Sequence, residues 1–265
     1  MFRYPKFNRD GEKMLCRMDG IGKEMLMDAS VFKLKKGASR TFTDSEKEIV
    51  ILLIAGKIRF ISDGIDEVAD RKSLFDDMPT TVHISKGKSV VVEALKGSRI
   101  MYLATTNDRD FATKIYRKKD VIRTVSCENM WENTAVRDVN TIFDYENAPY
   151  SNLVIGEVLA RQGRWWSYVP HSHPQPEVYY YEFERKEGFG ACFIGDKAYT
   201  VKNGSVGGFI GGKTHVQVTA PGFPMYNIWM IRHLDGDPWK KTRVVDPRYT
   251  WLEPEVKFVP KKEEN

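Results

Sequence analysis

The sequence predicts an all-β protein built as two β-barrels in tandem. Three observations carry this reading. Short runs rich in Val, Ile, Tyr, Phe and Trp recur between clusters of Gly, Asp, Asn and Lys, the pattern of strands punctuated by turns. A sustained 3.6-residue apolar period is almost absent, leaving only helical turns expected around 108–118 or 127–136. The two halves of the chain also resemble each other.

In order along the first half, strands are expected at "EIVILLIAG" (48–56), "KIRFIS" (57–62), "TTVHIS" (80–85), "SVVVEAL" (89–95) and "RIMYLATT" (99–106). The second half gives "NLVIGEVLA" (152–160), "WWSYVPHSH" (165–173), "EVYYYEF" (177–183), "ACFIG" (191–195), "KAYTV" (197–201), "GGFIGG" (207–212), "HVQVTA" (215–220) and "MYNIWMI" (225–231). In both halves a strand pair leads through a loop to a strand, a Gly–Lys–Ser/Thr turn and another strand, so Gly87-Lys88-Ser89 answers to Gly212-Lys213-Thr214. This self-similarity divides the chain into residues 1–115 and 116–265, with the linker inside 106–150. The last twelve residues, "PEVKFVPKKEEN", are Pro- and charge-rich and expected to fray.

Composition narrows the function classes. The 265 residues are 42% hydrophobic and 29% charged, ordinary for a globular protein with a sizeable core. The formal charge of +5 is not concentrated in a basic block interleaved with aromatics, which argues against a nucleic-acid groove. It does suit attraction of an anionic small molecule. Cys16, Cys127 and Cys192 are far apart and odd in number, pointing to a reducing compartment and not a disulfide framework. The polar start of the chain and the shortness of its longest apolar run, Ile49–Ala55, argue against a signal peptide or membrane span. A cytoplasmic protein is expected.

One stretch concentrates chemistry. In "HSHPQPE", His171 and His173 alternate by two, so on a strand both imidazoles project from one face. Glu177 follows after two prolines that turn the chain, and His215 lies downstream behind the glycine-rich "VGGFIGGKT". Histidine in a strand is ordinarily a surface or hydrogen-bonded residue, and the pair alone is a weak signal. The spaced glutamate and the distant histidine strengthen it. Three imidazoles and a carboxylate with sites left open suit one divalent transition metal per chain, Zn²⁺, Mn²⁺ or Fe²⁺, with zinc slightly preferred. His83 and His233 lack such partners and are expected to be structural or surface residues, while Trp165-Trp166 should fill core and an inter-barrel or subunit surface.

The spacing HxHxxxE at 171–177 with Gly188, and then Gly204, Ile210, Gly212 and His215, resembles the two motifs of the cupin family, whose small jelly-roll-like barrels hold a divalent metal on these four side chains. Ile210 stands where proline is usual, and Thr219 where asparagine is frequent. More closely, "FDDMPTTVHISKG" (75–87), "GRWWSYVPHSH" (163–173), "EVYYYEFERKEGFG" (177–190), "YTVKNGSV" (199–206) and "THVQVTAPGFPMYNIWMI" (214–231) resemble the 5-deoxy-glucuronate isomerase family of bacterial myo-inositol catabolism, a bicupin family. One departure stands beside the metal motif: only "PQP" separates His173 from Glu177, where that family carries an acidic insertion. Isomerases of 4-deoxy-5-keto-uronates from pectin breakdown share the bicupin plan and a compact loop.

The resemblance implies an aldose–ketose isomerisation of a sugar acid, 5-deoxy-glucuronate to 5-dehydro-2-deoxy-gluconate, on a metal held by His171, His173, Glu177 and His215. The base stays open between Tyr179 and Tyr181, which share the strand face of Glu177 by parity, and a metal-bound hydroxide; a hydride shift would need none. Arg164, Lys213 and Arg161, near the motifs, are candidates for the substrate carboxylate. In the same register the first half offers Phe42, Asp44 and Val90 for the three histidines, and Glu48 opposite Glu177. One carboxylate does not hold a catalytic metal, so the first barrel is expected to be a structural partner and Glu48 dispensable. Competing readings are a cupin that binds a sugar acid without turning it over and an Fe²⁺ dioxygenase. A homo-oligomer is also expected.

Overall fold

The computed structural model describes residues 1–253; the tail expected to fray lies outside them. The described residues are strand-built, with three sheets and only brief helical turns between them. The first half forms a nine-stranded sheet system that curls on itself. The second half forms a seven-stranded sheet facing a five-stranded one.

"EIVILLIAG" and "KIRFIS" form one strand, Lys47–Ser62, and not two. It pairs first with Thr81–Ile84 and Ser98–Thr106, then, past an irregularity at Leu53–Ala55, with Ile65–Arg71 and Ser89–Ala94. Gly56 makes the bend between them: its φ of 109° excludes an ordinary L side chain, and a Cβ there would meet the Ser98 hydroxyl at 2.3 Å. Of the expected helical turns, 108–118 carries the strand Lys114–Tyr116 and reaches only the first residue of a 3-10 turn, Lys118–Asp120, whereas Trp131–Asn133 is a turn with positive φ (46°, 53° and 60°), left-handed and so not a piece of α-helix.

Several strands carry too few apolar residues to be visible in the sequence. Ser39–Thr43, Ile65–Arg71 and Ile122–Ser126 are largely solvent-facing, so charge and hydroxyl groups occupy one face or both. Phe2–Arg3 belongs to the sheet of the other half, pairing with Val206–Gly207. The segment joining the halves changes allegiance over a few residues: Lys114–Tyr116 pairs with Thr81–Ile84, and Ile122–Ser126 with Arg137–Phe143.

Three apolar clusters account for the packing. One fills the first barrel with Phe32, Ile49, Ile51, Leu53, Phe60, Val90 and Val92. One fills the second barrel with Trp166, Tyr179, Tyr181, Phe183, Phe209, Trp229 and Ile231. The third lies between the halves and draws on both, with Val50, Leu52, Ile54 and Met101 on one side and Val178, Tyr180, Ile228 and Met230 on the other. Strands 47–54 and 177–183 therefore bury both faces, which explains why they read as unbroken apolar runs without a period of two. Trp166 is interior, while Trp165 stacks on Phe193 on the outer side of the five-stranded sheet, ring centroids 5.8 Å apart, and not between the barrels.

The charged groups Arg71, Glu157 and Glu48 inside the shared layer are paired. Arg71 forms a two-pronged contact with Glu157 (2.7 and 2.8 Å), and the Tyr226 hydroxyl donates to the same carboxylate. Glu48 corrects the register drawn from the sequence. Its parity is that of Val50 and Leu52, facing the other half, and not that of Ile49 and Ile51, which face the barrel interior. It does not stand opposite Glu177. Fully buried, it accepts from Ser151 Oγ (2.9 Å) and from the Asn152 backbone N–H (2.7 Å), and lies 2.8 Å from His83 Nε2. Glu48 therefore latches one half to the other. Glu48→Ala should cost about 3–5 kcal/mol by stranding buried partners, lowering the denaturant midpoint with bound metal unchanged. A midpoint within error of wild type would show the latch to be idle.

Candidate metal centre

The strand Trp165–Ser172 approaches the site irregularly. Trp166 pairs with Gln217, but His171 pairs with His215, so four intervening residues on one strand match one on the other. Ser167, within that excursion, has a φ of 51°. The irregularity places His171 beside His215, ring centroids 5.0 Å apart, with the ring of His173 6.4 Å from that of His171. Glu177 begins the next strand, on the interior face with Tyr179 and Tyr181.

The two motif loops are fastened to each other. Gly212 N donates to His173 O (2.9 Å), and Gly211 lies so close that a Cβ would fall 2.0 Å from Pro174 O. A side chain at Gly211 would push the His173–Glu177 loop away from the strand that carries His215. The glycine pair and the compact "PQP" loop thus fit together, and both set the mutual placement of His173 and His215.

His173, Glu177 and His215 offer nitrogen and oxygen atoms all within 4.8 Å of one another. Glu177 Oε2 lies 3.3 Å from His173 Nε2 and 3.2 Å from His215 Nε2. His215 Nδ1 bonds Lys213 O (3.1 Å), which fixes its N–H there and leaves Nε2 as a lone pair. That lone pair is buried without a hydrogen bond and faces a carboxylate oxygen. Two acceptors held face to face are repulsive unless a cation or proton stands between them. His171 is arranged alike, Nδ1 on Val169 O at 2.8 Å. The donor set fits a divalent transition metal: imidazole nitrogens beside one carboxylate, the tautomers of His171 and His215 fixed by backbone carbonyls.

Without metal, charge is distributed unevenly. Burial and the neighbouring His215 pull His171 down to about 3. Burial opposes protonation of His173 too, but its hydrogen bond to Glu177 prevails and raises it. Burial would raise Glu177; its contacts with His173 and His215 outweigh that and hold it at about 2.

His171, His173 and Glu177 open into a cavity of about 330 Å³ that Tyr179, Trp229 and Trp239 also line. Tyr179 OH lies 3.1 Å from Ser167 Oγ, which in turn donates to Gln217 Oε1 at 3.1 Å. Burial and the Glu177 charge push the Tyr179 phenol well above its usual value, so it keeps its proton at neutral pH and serves as a hydrogen-bond donor, not as a ready base. Tyr181 sits deeper, packed against Phe2 and Trp166, and is not among the residues that line the cavity.

The cations expected from the sequence are elsewhere. Arg161 and Arg164 belong to a turn joined to Thr219 and Ala220 at the far end of the strand from His171, and Lys213 is exposed outside the barrel. The cavity is lined by Arg137, Lys241 and Arg243 instead. Sequence proximity misled here because the far strand Arg137–Phe143 and the loop after 232 reach the site only through sheet order. His83 and His233 are both buried, His83 on Glu48 and His233 accepting from Trp239 N at 2.9 Å, consistent with structural roles.

Paired sheets closing around inward histidines and a glutamate define a cupin-type barrel, and its duplication a bicupin. The protein family model for KduI/IolB matches residues 2–252, and the chain belongs to that family. It is 23% identical over 244 residues to the 5-deoxy-glucuronate isomerase of Bacillus subtilis, covering 85% of this chain and 87% of that protein. It is 26% identical over 168 residues to the enzyme of that name from Halalkalibacterium halodurans, where the match spans 59% of this chain and only 61% of the relative. An IolB-like protein from Salmonella typhimurium LT2 superposes with a TM-score of 0.83 at 17% identity, covering 95% and 98% of the two chains. An oxalate decarboxylase from Lactobacillus farciminis superposes at 0.65 and 11% identity, over 90% and 84%, a likeness of fold.

The charge pattern gives a pH signature for metal-free protein. His171 is depressed in the fold, so its contribution weakens as pH falls below 6.5 towards 3. His173 is raised, so its contribution is complete below 6.5 and disappears as pH climbs through the folded value. Glu177 is depressed, and its contribution, present above 4.5, is lost only as pH falls towards 2. Thermal midpoints of chelator-treated protein should peak near pH 6.5, with the alkaline decline cancelled by added divalent metal, which replaces the proton between the ligands. A metal-independent profile would contradict this account.

Proposed function

We propose that this protein is a metal-dependent aldose–ketose isomerase that converts 5-deoxy-glucuronate to 5-dehydro-2-deoxy-gluconate. The observation that carries the reading is the buried convergence of His173, Glu177 and His215, with His171 adjoining, beside a sugar-sized cavity that His171, His173 and Glu177 line. Membership of the KduI/IolB family and the names of its curated relatives support the reaction class.

His171, His173, Glu177 and His215 hold the metal, one per chain, with zinc as the first choice over manganese and iron. Bound there, it supplies Lewis acidity towards the substrate carbonyl and hydroxyl oxygens. The protein's own groups do the rest. Tyr179 stays neutral and gives its one hydroxyl hydrogen to Ser167, which passes its own to Gln217, so the phenol oxygen turns a lone pair to the cavity and accepts from a sugar hydroxyl while a proton leaves C2 and another reaches C1. Trp229, Trp239 and Ile231 exclude water from the reacting end. Residues 116–265 supply this chemistry, and residues 1–115 form the wall against which it is built. The three cysteines, all unpaired, support a cytoplasmic setting.

The compact Pro174–Pro176 loop favours a second substrate, a 4-deoxy-5-keto-uronate, on the same centre. Purified, metal-analysed protein should turn over 5-deoxy-glucuronate, seen by NMR as ketose formation, with about one metal per chain and loss of turnover on chelation. His215→Ala should lose most of its metal while the barrel stays folded. Full metal retention in that variant would refute the ligand set. Turnover of the keto-uronate alone would move the substrate to the second reading.

A further inference from the structure

Arg137 opens the strand Arg137–Phe143, opposite Ala160, and with Val139 lines the cavity that His171, His173 and Glu177 also line. It is only 7% exposed. Its Nη1 is used on both hydrogens, donating to Ala135 O (3.0 Å) and to Cys127 Sγ (3.1 Å). The other edge of the guanidinium, Nε and Nη2, carries two parallel N–H groups with no hydrogen-bond partner among the described residues, in the geometry that grips a carboxylate by both oxygens.

No carboxylate of the described residues pairs with Arg137. Glu177, the one acid lining the cavity, is committed to His173 and His215. The other two cations differ in kind: Lys241 is held by Asp144 (3.2 Å) and Glu146 (2.7 Å), and Arg243 is exposed to solvent. A buried guanidinium without a counter-ion is costly, which a fold tolerates where an anion completes it.

We propose that Arg137 receives the carboxylate of the substrate, selecting sugar acids over neutral sugars and orienting the opposite, aldehyde end towards Glu177 and the histidines. The identity of the acid rests on the isomerase reading; the selection for a carboxylate does not. Cys127 and Ala135 act as positioning groups, turning the unused edge of the guanidinium into the cavity.

Binding is read by quenching of tryptophan fluorescence in metal-loaded protein, since Trp229 and Trp239 line the same cavity. The probes are 5-deoxy-glucuronate and 5-deoxy-glucose, which differ by the carboxylate. Wild type should prefer the acid at least about tenfold. Arg137→Gln should erase that preference by weakening the acid alone, and Arg137→Lys should restore part of it, with metal content and far-UV spectrum unchanged. Equal loss of both ligands, or undiminished acid binding in Arg137→Gln, would overturn the proposal. Should Arg137→Gln not fold, a wild type that binds both sugars equally would overturn it independently. Arginine-dependent preference for the acid without turnover would retain Arg137 and reject the isomerase.

Discussion

The strand Glu177–Phe183 is buried on both faces, and much of the molecule follows from that constraint. One face, Val178 and Tyr180, packs into the layer between the halves, and the other, Glu177, Tyr179 and Tyr181, into the second barrel. A strand at the surface could leave its polar atoms to water. Here the charged ones are partnered, because a buried polar atom left unpaired costs about 1–3 kcal/mol, and a charge more, while the Tyr181 hydroxyl is left without a hydrogen-bond partner among the described residues. Glu182 receives the Tyr180 hydroxyl (2.8 Å) and Arg99 from the other half, and Glu177 bonds His173 and faces the His215 lone pair.

The first barrel therefore packs behind the candidate site without adding to its ligand group. Its interior is apolar where the second places ligands, Phe42 and Val90 lying among Ile49, Phe60 and Val92. Its outer face supplies Val50, Leu52, Ile54 and Met101, which dry the rear of the strand carrying Glu177. Arg71–Glu157 and the Glu48 cluster fix the two halves in one arrangement, since each pair is satisfied only when both halves are present. Among the described residues the first barrel holds no comparable ligand group, and it stands as a rigid backing to the strand that carries Glu177, the support that converging side chains demand.

The parts of this structure legible in sequence were those written in short-range pattern. Apolar runs marked the central strands, and HxHxxxE with a later His215 marked the candidate ligands, because side-chain alternation on a strand and the reach of a tight loop are local facts. The rest depended on sheet order or polar edges. "SRTFT" and "IRTVS" pair as strands but show water a polar face, so they carry little apolar signal. Glu48 was misread by a single residue of register, which on a strand exchanges interior for exterior. Arg137 was missed because 34 positions separate it from His171 (137 to 171), and no motif marks an arginine whose neighbours are fixed only when Ile122–Ser126 and Leu153–Ala160 flank its strand. Cys127 Sγ and Ala135 O beside it are likewise visible only in three dimensions.

The cavity's electrostatics bear on why a neutral Tyr179 belongs there. An ionised phenol would add a second negative charge near Glu177 in a space already poor in water, and burial raises its cost further. Kept protonated and bonded to Ser167, Tyr179 demands no counter-charge, leaving Arg137 and the histidine cluster to meet an anionic ligand at separate points. A sugar acid has two such points, an oxygen pair at one end of the carbon chain and a carboxylate at the other. Two anchors of different chemistry in one small cavity fix direction as well as affinity: a reversed ligand would set its carboxylate against Glu177 and leave the guanidinium uncompensated.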